Sequence, residues 1–308
     1  ALRGKALELA GRIAAKTGCM LLSEFNNARI ERGAGRAQVR QLSFIVERSL
    51  EMLKDTRELV MVGAKLPVSF FAYPGKPSVL VPAGCDVISV AGAEADLEGT
   101  LEAMARELGA GTTLPLVNPS AFDSPLPTGA VTLDKLGAFF AAAIPDNAVV
   151  LDEAVTSGRA FSGATMGARP HDWLNIMGGS IGWGLAAAVG ASIAAPERKV
   201  IALEGDGSAM YTQQALWTMA RENLDVTIVI FANRAYKILL GELVNVGASS
   251  PGRNANDMLT LDRPDLDWVT IAKGYGVESG RATTMDELAV QFKRGLASPG
   301  PYLVELVM

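Results

Sequence analysis

Histidine is almost missing from this 308-residue sequence: His171 is the only one. Gly178-Gly179-Ser180-Ile181-Gly182 matches the G-x-S-x-G pattern of serine-hydrolase elbows, but a triad on that fold needs a histidine after the nucleophile. His171 precedes Ser180, so a Ser–His–Asp reading fails for want of a general base. Cysteine is scarce too. Cys19 and Cys85 are set in apolar sequence, fit no metal-ligand spacing and read as reduced core residues of a cytoplasmic protein. Aromatic residues make up 6% of the chain, and no apolar run approaches the ~20 residues a membrane helix needs. The N-terminus opens into an amphipathic helix without the apolar core of a signal peptide. A net charge of −5 gives no electrostatic reason to expect nucleic acid. An initiating methionine is also missing and the chain stops on a strand-like run at Met308, so it reads as trimmed or processed at one end at least.

What is present is aliphatic. Hydrophobic residues make up 49% of the chain and glycine is abundant at 32, which suits layered α/β domains, and the length favours two of them. Residues 2–17 and 38–54 have helical spacing. The runs at 59–62, 78–81 and 87–90 read as buried parallel strands, with a helix over 93–108. Between 109 and 130 the composition turns to Gly, Thr, Ser and Pro, which excludes an interior helix or central strand. The predicted organisation is therefore a first domain over 1–115, a linker over 116–130 and a second domain over 131–308. In the second domain the pattern predicts a helix at 133–143, a strand at 148–151 and an irregular polar segment to about 169. A small-residue helix to 195, strand 199–203, helix 211–222 and strand 226–231 follow. Residues 237–263 have little periodicity and read as a mobile loop or lid. Helix 266–273, strand 277–279, helix 285–296 and strand 302–307 complete the sheet.

The most informative stretch is Gly205-Asp206-Gly207-Ser208 with Asn233 downstream. It is a strand–turn–helix–strand unit, with a carboxylate at the first strand's end and a carboxamide at the second's. In a parallel sheet both lie at the carboxyl edge, where open α/β sheets bind ligands. Asp and Asn oxygens with main-chain carbonyls are hard donors suited to Mg²⁺ or Ca²⁺, and Mg²⁺ commonly bridges to phosphate. The glycines allow a sharp turn and a close approach to backbone N–H groups. The Gly178–Gly184 turn likewise permits a ligand to reach backbone. Thr156 and Ser157, beyond strand 148–151 and the acidic pair Asp152-Glu153, suit either phosphate contacts or a helix cap. Gly33-Ala34-Gly35 follows a polar stretch rather than a strand and reads as a flexible turn, not a dinucleotide loop. His171 reads as a hydrogen-bonded structural residue ahead of a substrate contact.

On these residues the chain resembles the thiamine-diphosphate-dependent 2-oxo acid decarboxylase and acetolactate synthase family. The resemblance is carried by 149–162, by Gly178–Gly190, and by Gly205–Ser208 through Asn233 with an aromatic at Tyr236. It implies two three-layer α/β domains with mainly parallel sheets, 1–115 resembling the family's middle domain and 131–308 its diphosphate-binding domain. It further implies that Asp206, the Asn233 side chain and the Ala235 carbonyl hold Mg²⁺. Gly205, Gly207, Ser208, Tyr236, Thr156 and Ser157 would contact the diphosphate of thiamine diphosphate. Ile181 would prop the bent cofactor, and the Gly179 carbonyl would accept from its aminopyrimidine. The family has Asn-Asn where this sequence has Ala232-Asn233. Its pyrimidine-binding domain, bearing the activating Glu, has no counterpart here, so no catalytic residue is assigned and the chain alone is expected to be inactive. The resemblance implies a 2-oxo acid substrate, a pyrimidine-domain partner and a homodimer or homotetramer. Phe70-Phe71-Ala72-Tyr73-Pro74-Gly75-Lys76 lacks the histidine that benzoylformate decarboxylases carry near this place, which favours an acetolactate-synthase-like carboligase, or a decarboxylase of another 2-oxo acid, over an aromatic decarboxylase. Some acetolactate synthases bind FAD against the middle domain, and no pattern here decides for or against it.

Overall fold

The computed structural model describes residues 1–248 and 250–308. Two compact units divide the chain. One is Ala1–Glu31 with Gly35–Pro119, and the other is Arg32–Ala34 with Ser120–Met308.

The first unit starts with α1 (Gly4–Thr17), which buries Leu9 and Ile13 at helical spacing and stops at Gly18, φ +77°, whose N–H reaches the Ala14 carbonyl. Next come β1 (Leu21–Ser23), β2 (Arg29–Arg32) and β3 (Val39–Gln41), with β1 and β3 paired in parallel. The helix expected over 38–54 is therefore shorter: only Val46–Leu53 forms α2. Residues 39–41 go to the β ladder. The Ser49 hydroxyl, bonded to both Ser43 N–H and Ser43 C=O, holds the turn that delays the helix. Strands β4 (Glu58–Val62) and β5 (Asp86–Ala91) form a second parallel pair, and α3 (Leu97–Glu107) packs Leu101 and Ala105 against α1. Residues 78–81 are not a strand. Prolines flank them at 77 and 82, and Val79 makes only an isolated bridge to Val68. Val87, Ile88 and Val90 of β5 are exposed. The cysteines are not core residues either: Cys19 is exposed and Cys85 half-buried.

The second unit runs α4 (Leu133–Ala143), β6 (Val149–Glu153), α5 (Phe161–Ala164), β7 (His171–Asn175), α6 (Gly184–Ala194), β8 (Val200–Gly205), α7 (Asp206–Ala209), α8 (Ala215–Arg221), β9 (Val226–Ala232), α9 (Lys237–Asn245), α10 (Arg253–Leu259), α11 (Trp268–Gly274), β10 (Glu278–Ala282), α12 (Met285–Ala297) and β11 (Tyr302–Val307). The sheet order within this unit is β10-β11-β9-β8-β6-β7, and every neighbouring pair is parallel. Strands β8 and β9 are buried along their whole length, as a parallel sheet covered on both faces requires. Leu151, Ala202, Ile228, Ile230 and Leu303 pack with Leu185, Leu216 and Trp268 in one cluster. Phe140 stands edge-on to Phe139, Phe161, Phe231 and Phe292 in another. From β6 the chain crosses to β7 on one side and then returns to β8 on the other. This strand-order reversal opens a crevice at the carboxyl ends of β6 and β8.

Two expectations in this part need correction, and one element is new. Between the polar segment and the glycine turn the chain forms a buried strand, β7, in which His171 Nδ1 lies 2.6 Å from the Arg169 carbonyl and Asp172 pairs with Arg198 at 2.5 Å. Gly33-Ala34-Gly35 does follow a strand, β2. The missing Gly33 side chain leaves room for the Arg169 carbonyl, 2.7 Å from where a Cβ would stand. Residues 237–263 hold two helices, α9 and α10, not a plain loop; Ser249 of that segment lies outside the described residues. Among the described residues no helix is long and apolar enough to cross a membrane.

Candidate functional site

Strand β8 carries the chain to Gly205, and Asp206 opens α7 at the carboxyl edge of the sheet. The buried Asp206 carboxylate ties two turns together. Oδ1 accepts from Gly207 N–H at 2.9 Å and Oδ2 from Arg234 N–H at 2.6 Å, in the turn after β9. Asn233 Oδ1 accepts from Ala235 N–H at 3.1 Å, and Arg234 between them sits at φ +59°. From the other side, Leu259 C=O accepts from Tyr236 N–H and Leu261 N–H donates to Arg234 C=O, so the end of α10 clamps the 233–236 turn. The Tyr236 ring lies over Gly207, where a Cβ would stand 2.7 Å from Cε1. Burial raises the Asp206 pKa to about 6 against the backbone N–H groups of Arg234, Gly207 and Asp206 itself, which lower it.

The donor chemistry suits a hard divalent cation. Each Asp206 oxygen keeps a lone pair beyond its backbone contact, and the neighbouring donors are a carboxamide and main-chain carbonyls. Among the described residues no group of three or more His, Cys, Asp or Glu could hold a metal, so a cation here rests on one carboxylate and neutral oxygens.

The glycine turn lies across the same crevice. Gly178, Gly179 and Gly182 have φ of +67°, +68° and +92°; Gly178 to Ser180 are exposed and Ile181 is half-buried. Gly182 is held on every side. Its N–H donates to Glu153 Oε1 at 2.7 Å, its carbonyl accepts from Thr212 Oγ1 at 2.8 Å, and a Cβ would stand 2.5 Å from Tyr211 Cβ. Trp183 N–H shares Glu153 Oε1 at 3.3 Å, and Gly184 N–H takes Oε2 at 2.6 Å. Glu153 was not singled out in the sequence beyond its place in an acidic pair. Behind it lies Glu204, fully buried, with no hydrogen-bond donor to either carboxyl oxygen. Burial and the adjacent Glu153 charge push Glu204 well above the carboxylate range. Glu153 is raised too, by burial, with its three N–H donors pulling the other way. Gly184 lacks a side chain where both carboxyl groups fill the space a Cβ would take.

The hydroxyl-bearing turn after β6 reaches the same edge, since a Cβ on Gly205 would stand 3.6 Å from the Glu153 carbonyl. Val155 there adopts φ +49°, a strained choice for a β-branched residue. Ser157 is buried with its hydroxyl 3.5 Å from Met308 Sδ, Thr156 is half-buried, and Ser208 is buried beside Gly205. The structure thus gathers Gly205, Asp206, Gly207, Ser208, Asn233, Ala235 and Tyr236 into one corner. Gly179 and Ile181 lie on the neighbouring glycine turn.

Residues 159–306 match the family described as "Thiamine pyrophosphate enzyme, C-terminal TPP binding domain". All of the chain aligns at 47% identity with the Mycobacterium tuberculosis "Putative acetolactate synthase large subunit IlvX". Residues 159–306 are therefore a thiamine pyrophosphate enzyme C-terminal domain by sequence. The matched part takes in the glycine turn and both turns joined by Asp206. Benzoylformate decarboxylase of Pseudomonas aeruginosa is 36% identical over 53% of the chain and 29% of that protein. The solved thiamine diphosphate-dependent 4-hydroxybenzoylformate decarboxylase of Rhodococcus jostii superposes on 98% of the chain with a TM-score of 0.79 and 27% identity. The chain spans 59% of the length of the mycobacterial relative and 58% of the Rhodococcus enzyme.

Proposed function

We propose that this chain supplies the diphosphate-binding half of a thiamine-diphosphate- and Mg²⁺-dependent enzyme that decarboxylates or ligates a 2-oxo acid, in the manner of acetolactate synthase. One observation carries the reading: a buried carboxylate at the β8 end is bonded across to the β9 turn, beside a glycine kept bare beneath Tyr236. Asp206, Asn233 Oδ1 and the Ala235 carbonyl would hold Mg²⁺. Gly205, Gly207, Ser208, Tyr236, Thr156 and Ser157 would line the diphosphate, Ile181 would prop the thiamine and the Gly179 carbonyl would orient it. What the bound cofactor would supply is an electron sink for the loss of CO₂ from the 2-oxo acid. This chain's residues bind and orient; the group that activates the cofactor's head belongs to a pyrimidine-binding domain, on the same or another chain of a cytoplasmic homodimer or homotetramer. The 47% identity to the mycobacterial relative supports the acetolactate-synthase-like form. A second reading, a benzoylformate or other 2-oxo acid decarboxylase, draws on the likeness to the Rhodococcus structure over 98% of the chain.

Asp206→Ala should abolish Mg²⁺-dependent binding of thiamine diphosphate measured by calorimetry, and an unchanged affinity would sink the assignment. Incubation of the chain with a pyrimidine-binding domain and with pyruvate, 2-oxobutyrate or benzoylformate then separates the two readings by product. The chain by itself should release no CO₂.

A further inference from the structure

Helix α6 begins without a cap of its own. Its N-cap residue Trp183 makes no side-chain bond and its first turn holds no acid, so its leading N–H groups have no partner nearby in sequence. They are satisfied from another strand: Gly182, Trp183 and Gly184 all donate to the one carboxylate of Glu153, at the end of β6. The positive end of α6 therefore already faces an anion belonging to the protein, which leaves the diphosphate to the Asp206 corner. The residues just before Gly182 have no comparable anchor. Gly178 to Ser180 are exposed and two of them are left-handed glycines, so the place where they stand is set by the pinned end of the turn.

We infer that Glu153 is a positioning residue for the cofactor: by holding Gly182 to Gly184 it fixes Ile181 and the Gly179 carbonyl against the thiamine moiety and leaves the diphosphate grip to Asp206 and Asn233. This rests on the thiamine-diphosphate reading of the site. It divides the crevice into two independent halves, a β8/β9 corner for the diphosphate and a turn hung from β6 for the thiamine. A residue serving only the fold would not separate the two.

The test is a pair of calorimetric titrations of the full chain in Mg²⁺, one with thiamine diphosphate and one with inorganic diphosphate. Glu153→Gln keeps the volume but presents an N–H₂ group to one of the donors. It should weaken thiamine diphosphate about tenfold, the size of a lost bond to a charged group, and leave inorganic diphosphate within about twofold. Amide exchange at Gly182 to Gly184 should quicken in the same variant. Glu153→Asp, which keeps the charge on a shorter arm, should give the same one-sided loss and serves if the Gln variant does not fold. Equal losses for both ligands, or no loss for either, would overturn the inference. Wild-type chain that binds inorganic diphosphate but gains nothing from the thiamine moiety would overturn it alone. Wild-type chain that binds neither ligand would instead take down the reading of the Asp206 corner on which it rests.

Discussion

Gly207 shows how much one missing carbon can decide. The Tyr236 ring occupies the space a side chain would need, and the same residue's N–H is bonded to Asp206. Gly207→Ala must push the ring or the turn aside, at a cost of about 1–3 kcal/mol for overpacking. Denaturant unfolding should register that loss, and metal–diphosphate affinity should fall with it. An unchanged unfolding midpoint would mean that the tyrosine swings away freely. Gly184 presents the same constraint more severely, because its neighbours are two carboxyl groups and not a ring.

Within β6, the alternation of a strand sends Asp152 and Glu153 to opposite faces. Glu153 serves the glycine turn, while Asp152 lies with Arg32 and Trp173, near His171 of β7. Burial raises Asp152 to about 7 against the Ala154 N–H and Arg32, and burial lowers His171 to about 4. The signs oppose. Between its ordinary value of 3.8 and about 7, folded Asp152 keeps a proton that the unfolded chain has released, so its contribution falls as pH rises. Between 6.5 and about 4 the unfolded chain protonates His171 while the fold refuses, so that contribution falls as pH drops. Asp152→Asn should steepen the loss of melting temperature on acidification from pH 6.5 to 4. His171→Asn should make the protein gain stability over the same interval, and parallel profiles for both variants and wild type would refute the pairing. The same strands show what could be seen in the sequence. Strands β6, β8, β9 and β11 were legible because a central parallel strand must be apolar on both faces. Strand β7 was not, because His171 and Asp172 are buried by virtue of partners at Arg169 and Arg198 that no local pattern reveals. Helices α9 and α10 bury no residue, so they leave no apolar period to detect. In the site, Asp206 and Asn233 stood out by residue type at strand ends. Glu153 did not, because its partners are backbone N–H groups about thirty residues on.

At the scale of the whole chain, neither compact unit is one continuous stretch of sequence. Three residues, Arg32 to Ala34, belong with 120–308 although some ninety residues separate them in the chain. Arg32 is buried, donates to the Ser162 carbonyl and stands 5.0 Å from the centre of the Trp173 ring. Burial lowers its pKa to about 10, which leaves it charged at neutral pH with Asp152 as the facing carboxylate. A fragment starting at Ser120 should therefore melt below the full chain. Arg32→Met in the full chain should cost about 3 kcal/mol, the scale of a buried pair broken on one side. A fragment as stable as the full chain would show that the three residues are passengers.

The β4–β5 pair has a colloidal consequence. A parallel ladder normally has layers over both faces, yet Val87, Ile88 and Val90 of β5 meet water. Two-stranded, apolar and open along its edges, this strip is a template on which other chains can add strands. Light scattering of the isolated chain should show particle size growing with concentration, and Ile88→Lys should suppress the growth by placing a charge on the strip. The handling properties of the chain would then be governed by one short uncovered ribbon, and not by the residues of the Asp206 corner.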